Sequence, residues 1–151
     1  MTLLAPYESF ISTSPDETKV LAKKFGAKLP FGSIVLLDGD LGAGKTTFIK
    51  GLISFLSGID EDNIQSPTFN YVNTYQTTSG HIHHFDLYRI ETDEEFEVLG
   101  FLDYFDLNSI SLIEWPSKIK KLLPKSSLKI SIIYLDDLRR NITIETNEHL
   151  V

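Results

Sequence analysis

Cysteine is absent from the chain, so neither a disulfide framework nor a thiolate metal site can form. Arginine is scarce as well: Arg89, Arg139 and Arg140 are the only three. With 14 Lys and Arg against 21 Asp and Glu, the net charge is −7. Proteins that grip nucleic acid unaided present a basic face, and this balance argues against tight solitary binding of RNA or DNA. Lys118, Lys120, Lys121, Lys125 and Lys129 cluster, but such a run reads first as a solvated face. No apolar stretch approaches the roughly 20 residues that span a membrane. Met1 to Glu8 lacks a basic region followed by a long apolar run, so no secretory signal and a cytoplasmic location are expected. Repeats and low-complexity tracts are missing too, and 151 residues suit one domain over 1–151.

What is present is a phosphate-binding loop. Gly39-Asp40-Leu41-Gly42-Ala43-Gly44-Lys45-Thr46 has the form GxxxxGK followed by Ser or Thr. Gly39 and Gly44 let the backbone curl with its N–H groups facing an anion. Lys45 brings charge to the β- and γ-phosphates of a nucleoside triphosphate, and the Thr46 hydroxyl is placed to ligate Mg²⁺. Chance produces this pattern in about 0.5% of chains of such length. Context sharpens it: Ile34-Val35-Leu36-Leu37 reads as a buried parallel strand, and Phe48, Ile49, Leu52, Ile53, Phe55 and Leu56 recur at helical spacing.

The remaining pattern alternates strands and helices. Tyr7 to Ile11 suits a short strand, and Ser14-Pro15-Asp16-Glu17 is a capping box opening a helix to about Phe25. The loop's helix is expected from Lys45 to about Leu56, stopping at Gly58. Phe69–Tyr75 and His81–Tyr88 read as a hairpin. Thr92-Asp93-Glu94-Glu95 caps a short helix to Gly100, Phe101–Phe105 forms another turn, and Ile119, Leu122 and Leu123 suit a short helix. Ser109–Trp115, Leu128–Leu135 and Asn141–Glu145 are the remaining strands. The order implies an α/β domain with a mixed sheet and its ligand at the strand C-terminal ends.

A phosphate loop needs a carboxylate near Mg²⁺. Glu114 ends one apolar strand and Asp86 another; one would hold the metal and the other orient the attacking water, unless either only pairs with Arg89 or caps a helix. Ser66-Pro67-Thr68-Phe69 is a stiffened turn whose Thr68 hydroxyl is placed to sense a γ-phosphate or Mg²⁺, or a plain turn. Trp115 reads as core or pocket wall beside Glu114. His81, His83 and His84 tempt a zinc reading, and His81 and His83 share a strand face, but no Cys and no spaced third histidine supports it, the only other histidine being His149 in the tail. Arg89 is the only arginine near the motifs, so no arginine finger in cis is expected.

Five segments in series, Gly39 to Thr47, Ser66 to Phe69, His84-Phe85-Asp86-Leu87-Tyr88-Arg89, Leu99-Gly100 and Ile113-Glu114-Trp115-Pro116, resemble the TsaE (YjeE) ATPases. The resemblance runs from about Phe31 to Ile144. It implies a P-loop NTPase-like three-layer fold with a mixed, partly antiparallel central sheet. It also implies ATP and Mg²⁺ as cofactors and a role in bacterial tRNA threonylcarbamoyladenosine biosynthesis. By that likeness the partners are TsaD and TsaB, tRNA is met only through them, and the chain is a monomer joining a hetero-complex. Residues Gly39 to Thr47, with Thr68 and Trp115, would bind nucleotide; Lys45, Asp86 and Glu114 would act in hydrolysis; Thr46 and Glu114 would hold the metal. Two readings compete: a nucleotide-dependent binding switch without useful turnover, and a small-molecule kinase, which normally carries an arginine-rich lid that this chain lacks.

Overall fold

The computed structural model describes residues 7–40, 42–67 and 69–145. Leu41 and Thr68, two of the expected site residues, lie outside them. The strands are β1 (Tyr7–Ser12), β2 (Ile34–Asp38), β3 (Val72–Gln76), β4 (His81–Asp86), β5 (Ser109–Glu114), β6 (Leu128–Tyr134) and β7 (Arg140–Glu145). The helices are α1 (Pro15–Gly26), α2 (Lys45–Ser57) and α3 (Asp93–Val98), with short 3-10 segments at Glu61–Asn63, Phe101–Tyr104 and Pro116–Leu122. One sheet runs β1-β7-β6-β2-β5-β4-β3. Its centre, β6, β2, β5 and β4, is parallel; β7 and β3 pair antiparallel with β6 and β4, and β1 antiparallel with β7.

Alternation along the strands divides the core. Val35 and Leu37 pack with Phe25, Phe48 and Leu52 beneath α1 and α2. Ile34, one step out of phase, joins Phe85, Phe96, Phe101 and Ile113 on the opposite face. The result is three layers, with side chains of period two feeding both. β5 is buried at every position, which fits a parallel strand covered on both sides.

Helix starts follow their caps. The Ser14 hydroxyl accepts from the Glu17 amide at 3.1 Å, and the Thr92 hydroxyl from the Glu95 amide at 3.2 Å. In both helices the returning acid reaches the residue before the cap: Thr13 N–H donates to Glu17 at 2.9 Å, and Glu91 N–H to Glu95 at 3.2 Å. Each box thus ties down one more residue of the incoming chain.

Several boundaries shift by one or two residues from the sequence pattern, and three segments near the site have a physical reason to differ. The third strand begins at Val72, not Phe69, because Tyr71 adopts a left-handed φ of 64° and turns its ring onto Phe101, 6.2 Å away. The fourth ends at Asp86, whose carboxylate accepts from the Tyr88 amide at 3.1 Å and starts a turn. The segment around Ile119 is a 3-10 turn, broken where Ile119 leaves helical geometry at φ −128° and ψ 31°.

The β3–β4 turn is locked onto β5. Gly80 has φ 157°, and a Cβ there would sit 2.0 Å from the Asn108 carbonyl oxygen. His81 N–H donates to that same oxygen at 3.0 Å. Gly80→Ala therefore forces backbone apart, and the expected loss is about 2–4 kcal/mol of stability, from overpacking plus backbone strain. A lowered urea midpoint with unchanged m-value checks it.

Candidate functional site

The site begins at the carboxyl end of β2. Gly39 follows it with φ 156°, and a Cβ there would lie 2.6 Å from the Ile132 carbonyl oxygen of β6. Only glycine lets the loop leave the sheet this close to a neighbouring strand. Asp40 closes the first turn, its carbonyl accepting from Ala43 N–H at 3.0 Å. Lys45 is 6% exposed. Its ammonium donates to the Gly39 carbonyl at 2.6 Å and stands 4.3 Å from the centroid of the Trp115 ring. A buried cation needs such partners, and here a carbonyl and a π-face supply them.

α2 differs from α1 and α3 at its N-terminus. Its cap is Gly44, no side chain accepts from its first amides, and no acid lies in its first turn. α1 and α3 have Ser14 and Thr92 as caps, with Asp16, Glu17 and Asp93, Glu94, Glu95 in their first turns. The amides and dipole of α2 therefore remain open to an anion.

One cleft faces this helix end. Gly42, Gly44, Lys45, Thr46 and Thr47 form its floor, and Ser66, Asp86, Glu114, Trp115 and Arg140 line the sides. Asp86 and Glu114 come from adjacent strands in direct register. Burial raises the Asp86 pKa above its ordinary value, with a smaller contribution from the Glu114 charge. Glu114 is 5% exposed, and its Oε2 lies 2.8 Å from His84 Nε2. Trp115 follows with a left-handed φ of 59°, which aims its ring over Lys45 and against Tyr88, 5.1 Å away. Such a conformation in a bulky residue costs about 1–3 kcal/mol and persists only where surroundings hold it.

Arg140 overturns the expectation that Arg89 is the only arginine near the motifs. Its Nε donates to the Ala43 carbonyl at 3.0 Å, and its Nη1 to the carbonyls of Asp136 at 2.7 Å and Arg139 at 3.1 Å. Its guanidinium carbon stands 4.7 Å from the Tyr134 ring centroid. Arg89 instead lies 5.0 Å from the ring centroid of Phe69 and is not among the cleft's lining residues. Arg140 was missed because 97 positions separate it from its loop partner. The available signal was an arginine pair opening the strand after β6, a strand whose carboxyl end flanks the loop.

Of the other histidines, His83 fills a structural place. His83 bonds Thr74 through Nδ1 at 2.8 Å and Ser109 through Nε2 at 3.1 Å, and burial lowers its pKa. Among the described residues no group of three His, Cys, Asp or Glu side chains is placed to hold a metal. His149 lies outside them.

A strand, a glycine loop and an uncapped helix at the carboxyl edge of a mixed sheet define a P-loop nucleotide-binding protein. The chain belongs to the TsaE family: the family described as "Threonylcarbamoyl adenosine biosynthesis protein TsaE" matches residues 12–142. It is 44% identical to a tRNA threonylcarbamoyladenosine biosynthesis protein TsaE of Rickettsia felis, covering 91% of this chain and 79% of that protein. To the protein so named in Haemophilus influenzae it is 42% identical, covering 87% of each. The crystal structure of YdiB from Bacillus subtilis superimposes with a TM-score of 0.76 and 31% identity, covering 98% of this chain and 91% of that one.

β7 and the Asp86–Glu114 pair flank β2 from opposite sides. Arg140 thus lines the cleft on the side remote from the acids. Arg140→Ala is expected to weaken nucleoside di- and triphosphate alike by about tenfold, the worth of one charge-assisted contact. Titration of Trp115 fluorescence with each nucleotide measures both.

Proposed function

We propose that this protein is the ATPase component of tRNA threonylcarbamoyladenosine biosynthesis, binding a TsaD–TsaB pair and hydrolysing Mg-ATP to support its repeated turnover. The observation that carries the reading is the open α2 N-terminus facing Lys45, Thr46, Asp86 and Glu114 in one cleft. The names borne by its relatives supply the pathway.

The residues divide the work by chemistry. Loop amides and Lys45 bind the phosphates and offset charge that develops on the γ-phosphoryl group. Asp86 orients the attacking water and accepts its proton; a carboxylate whose pKa is raised by burial suits that task. Water oxygen bonds to the γ-phosphorus, the bond to the β-phosphate oxygen breaks, and ADP and phosphate leave. The Thr46 hydroxyl and Glu114 carboxylate would hold Mg²⁺, and these hard oxygen donors fit an ion that arrives with phosphates rather than one caged by protein. That ion supplies neutralisation of phosphate charge.

Partner dependence follows from the charges. At −7 the chain is ill suited to carry tRNA itself. Arg140 is held on the flank away from the acids, and no other arginine lines the cleft among the described residues. The γ-phosphate end therefore lacks an arginine until a partner brings one, which implies slow turnover alone in the cytoplasm and acceleration in a hetero-complex.

The decisive measurement is ATP hydrolysis with and without TsaD–TsaB from the same organism. Stimulation by the pair, absent in Lys45→Ala, is expected; no stimulation despite bound ATP refutes the partner assignment. Asp86→Asn is expected to cut turnover about 10²-fold or more while leaving nucleotide affinity nearly unchanged.

A second reading has its own observation. Phe69, beside the Ser66–Pro67 turn, is 80% exposed, as in a loop that meets partners in one nucleotide state. If Asp86→Asn keeps tRNA modification at wild-type levels over many turnovers, the protein is a switch and hydrolysis is incidental.

A further inference from the structure

His84 takes no part in the steps above, yet it is 1% exposed and buried against Glu114, a residue of the cleft's lining. It stands two residues before Asp86 on β4, on the same face, and opposite Leu112 of β5. Its neighbour His83 shows what a structural histidine looks like in this sheet: both ring nitrogens are engaged, by Thr74 and Ser109. His84 is different. Nε2 is committed to Glu114 at 2.8 Å, and Nδ1 is buried without a hydrogen-bond partner among the described residues. Burying an imidazole with one nitrogen unmet is costly, so the bond to Glu114 is what this residue type contributes here.

We infer that His84 is a positioning residue that pins Glu114 so that its second oxygen faces the metal of the bound nucleotide. An ionised carboxylate only accepts hydrogen bonds, so Nε2 carries the proton and donates. With Oε2 engaged, Oε1 is left for the cleft that Glu114 lines. Glutamate has three side-chain torsions, and the neighbouring Asp86 charge repels it; a fixed donor from the adjacent strand removes that freedom. Imidazole-to-carboxylate contacts behind a metal ligand tune metal affinity in this way. The inference rests on the reading of Glu114 as the metal-side acid.

The test uses His84→Leu, which removes the donor, and His84→Gln, whose amide N–H reaches nearly as far as Nε2. Thermal melts establish folding, and where His84→Leu does not fold, His84→Asn, too short to reach Glu114, replaces it. The readout is binding of a non-hydrolysable ATP analogue by Trp115 fluorescence, first in chelator and then across a Mg²⁺ titration. Expected is chelator-state affinity within about threefold of wild type in every variant. The Mg²⁺ midpoint is expected to rise about tenfold or more in His84→Leu and to return in His84→Gln. An unmoved midpoint in folded His84→Leu, or no recovery in folded His84→Gln, overturns the inference. Glu114→Gln separates the two levels: a midpoint unchanged there sinks the metal-side reading itself, whereas one that moves there but not in His84→Leu sinks only the role of His84.

Discussion

Parallel pairing of β2 with β5 on one side and β6 on the other is the constraint on which the site depends. Parallel strands deliver their carboxyl ends to one edge, so the phosphate loop, Glu114 and the β6–β7 hairpin meet there without any long excursion. Register does the rest. Leu37 lies opposite Glu114, and Glu114 opposite Asp86. A slip of one residue in β5 would swap its faces, sending Glu114 toward the layer that holds Phe85 and Ile113.

The apolar core enforces that register. Ile110 and Leu112 belong to the cluster under α1 and α2, and Ile113 to the opposite one. Placing an acid at the end of β4 or β5 costs little register, because four or five buried side chains anchor each strand before the acid is reached. Electrostatic cost is concentrated instead at the edge, where Lys45, Asp86, His84 and Glu114 share a partly dry space. Asp86 bears it as a raised pKa, and Trp115 beside them adds a conformational cost as a left-handed backbone.

Most of the architecture was legible because local signals agreed with the fold. Runs of the buried, parallel type marked β2 and β5, Ser14 and Thr92 marked two helix starts, and Gly58 ended α2. What failed was non-local or hidden by a side chain's second role. Phe69 to Tyr71 carries strand-like residues, yet packing of Tyr71 on Phe101 wins over alternation. Arg140 reaches the loop only because β6, the neighbour of β2, turns back antiparallel into β7 at its carboxyl end, and no local pattern encodes that return. His84 reads as one of three nearby histidines until the sheet places it against Glu114.

The bare N-terminus of α2 has a consequence for the life of the molecule rather than for its chemistry. A glycine cap leaves a helix weaker than a Ser, Asp or Asn cap by about a few tenths of a kcal/mol, so the ligand-free chain carries a small deficit at the start of α2. An anion seated on those amides repairs the deficit, and ligand a hundredfold above its Kd adds about 2.7 kcal/mol to folding. Resistance of this protein to proteolysis is therefore tied to nucleotide supply: a starved cell would lose the chain faster than a fed one.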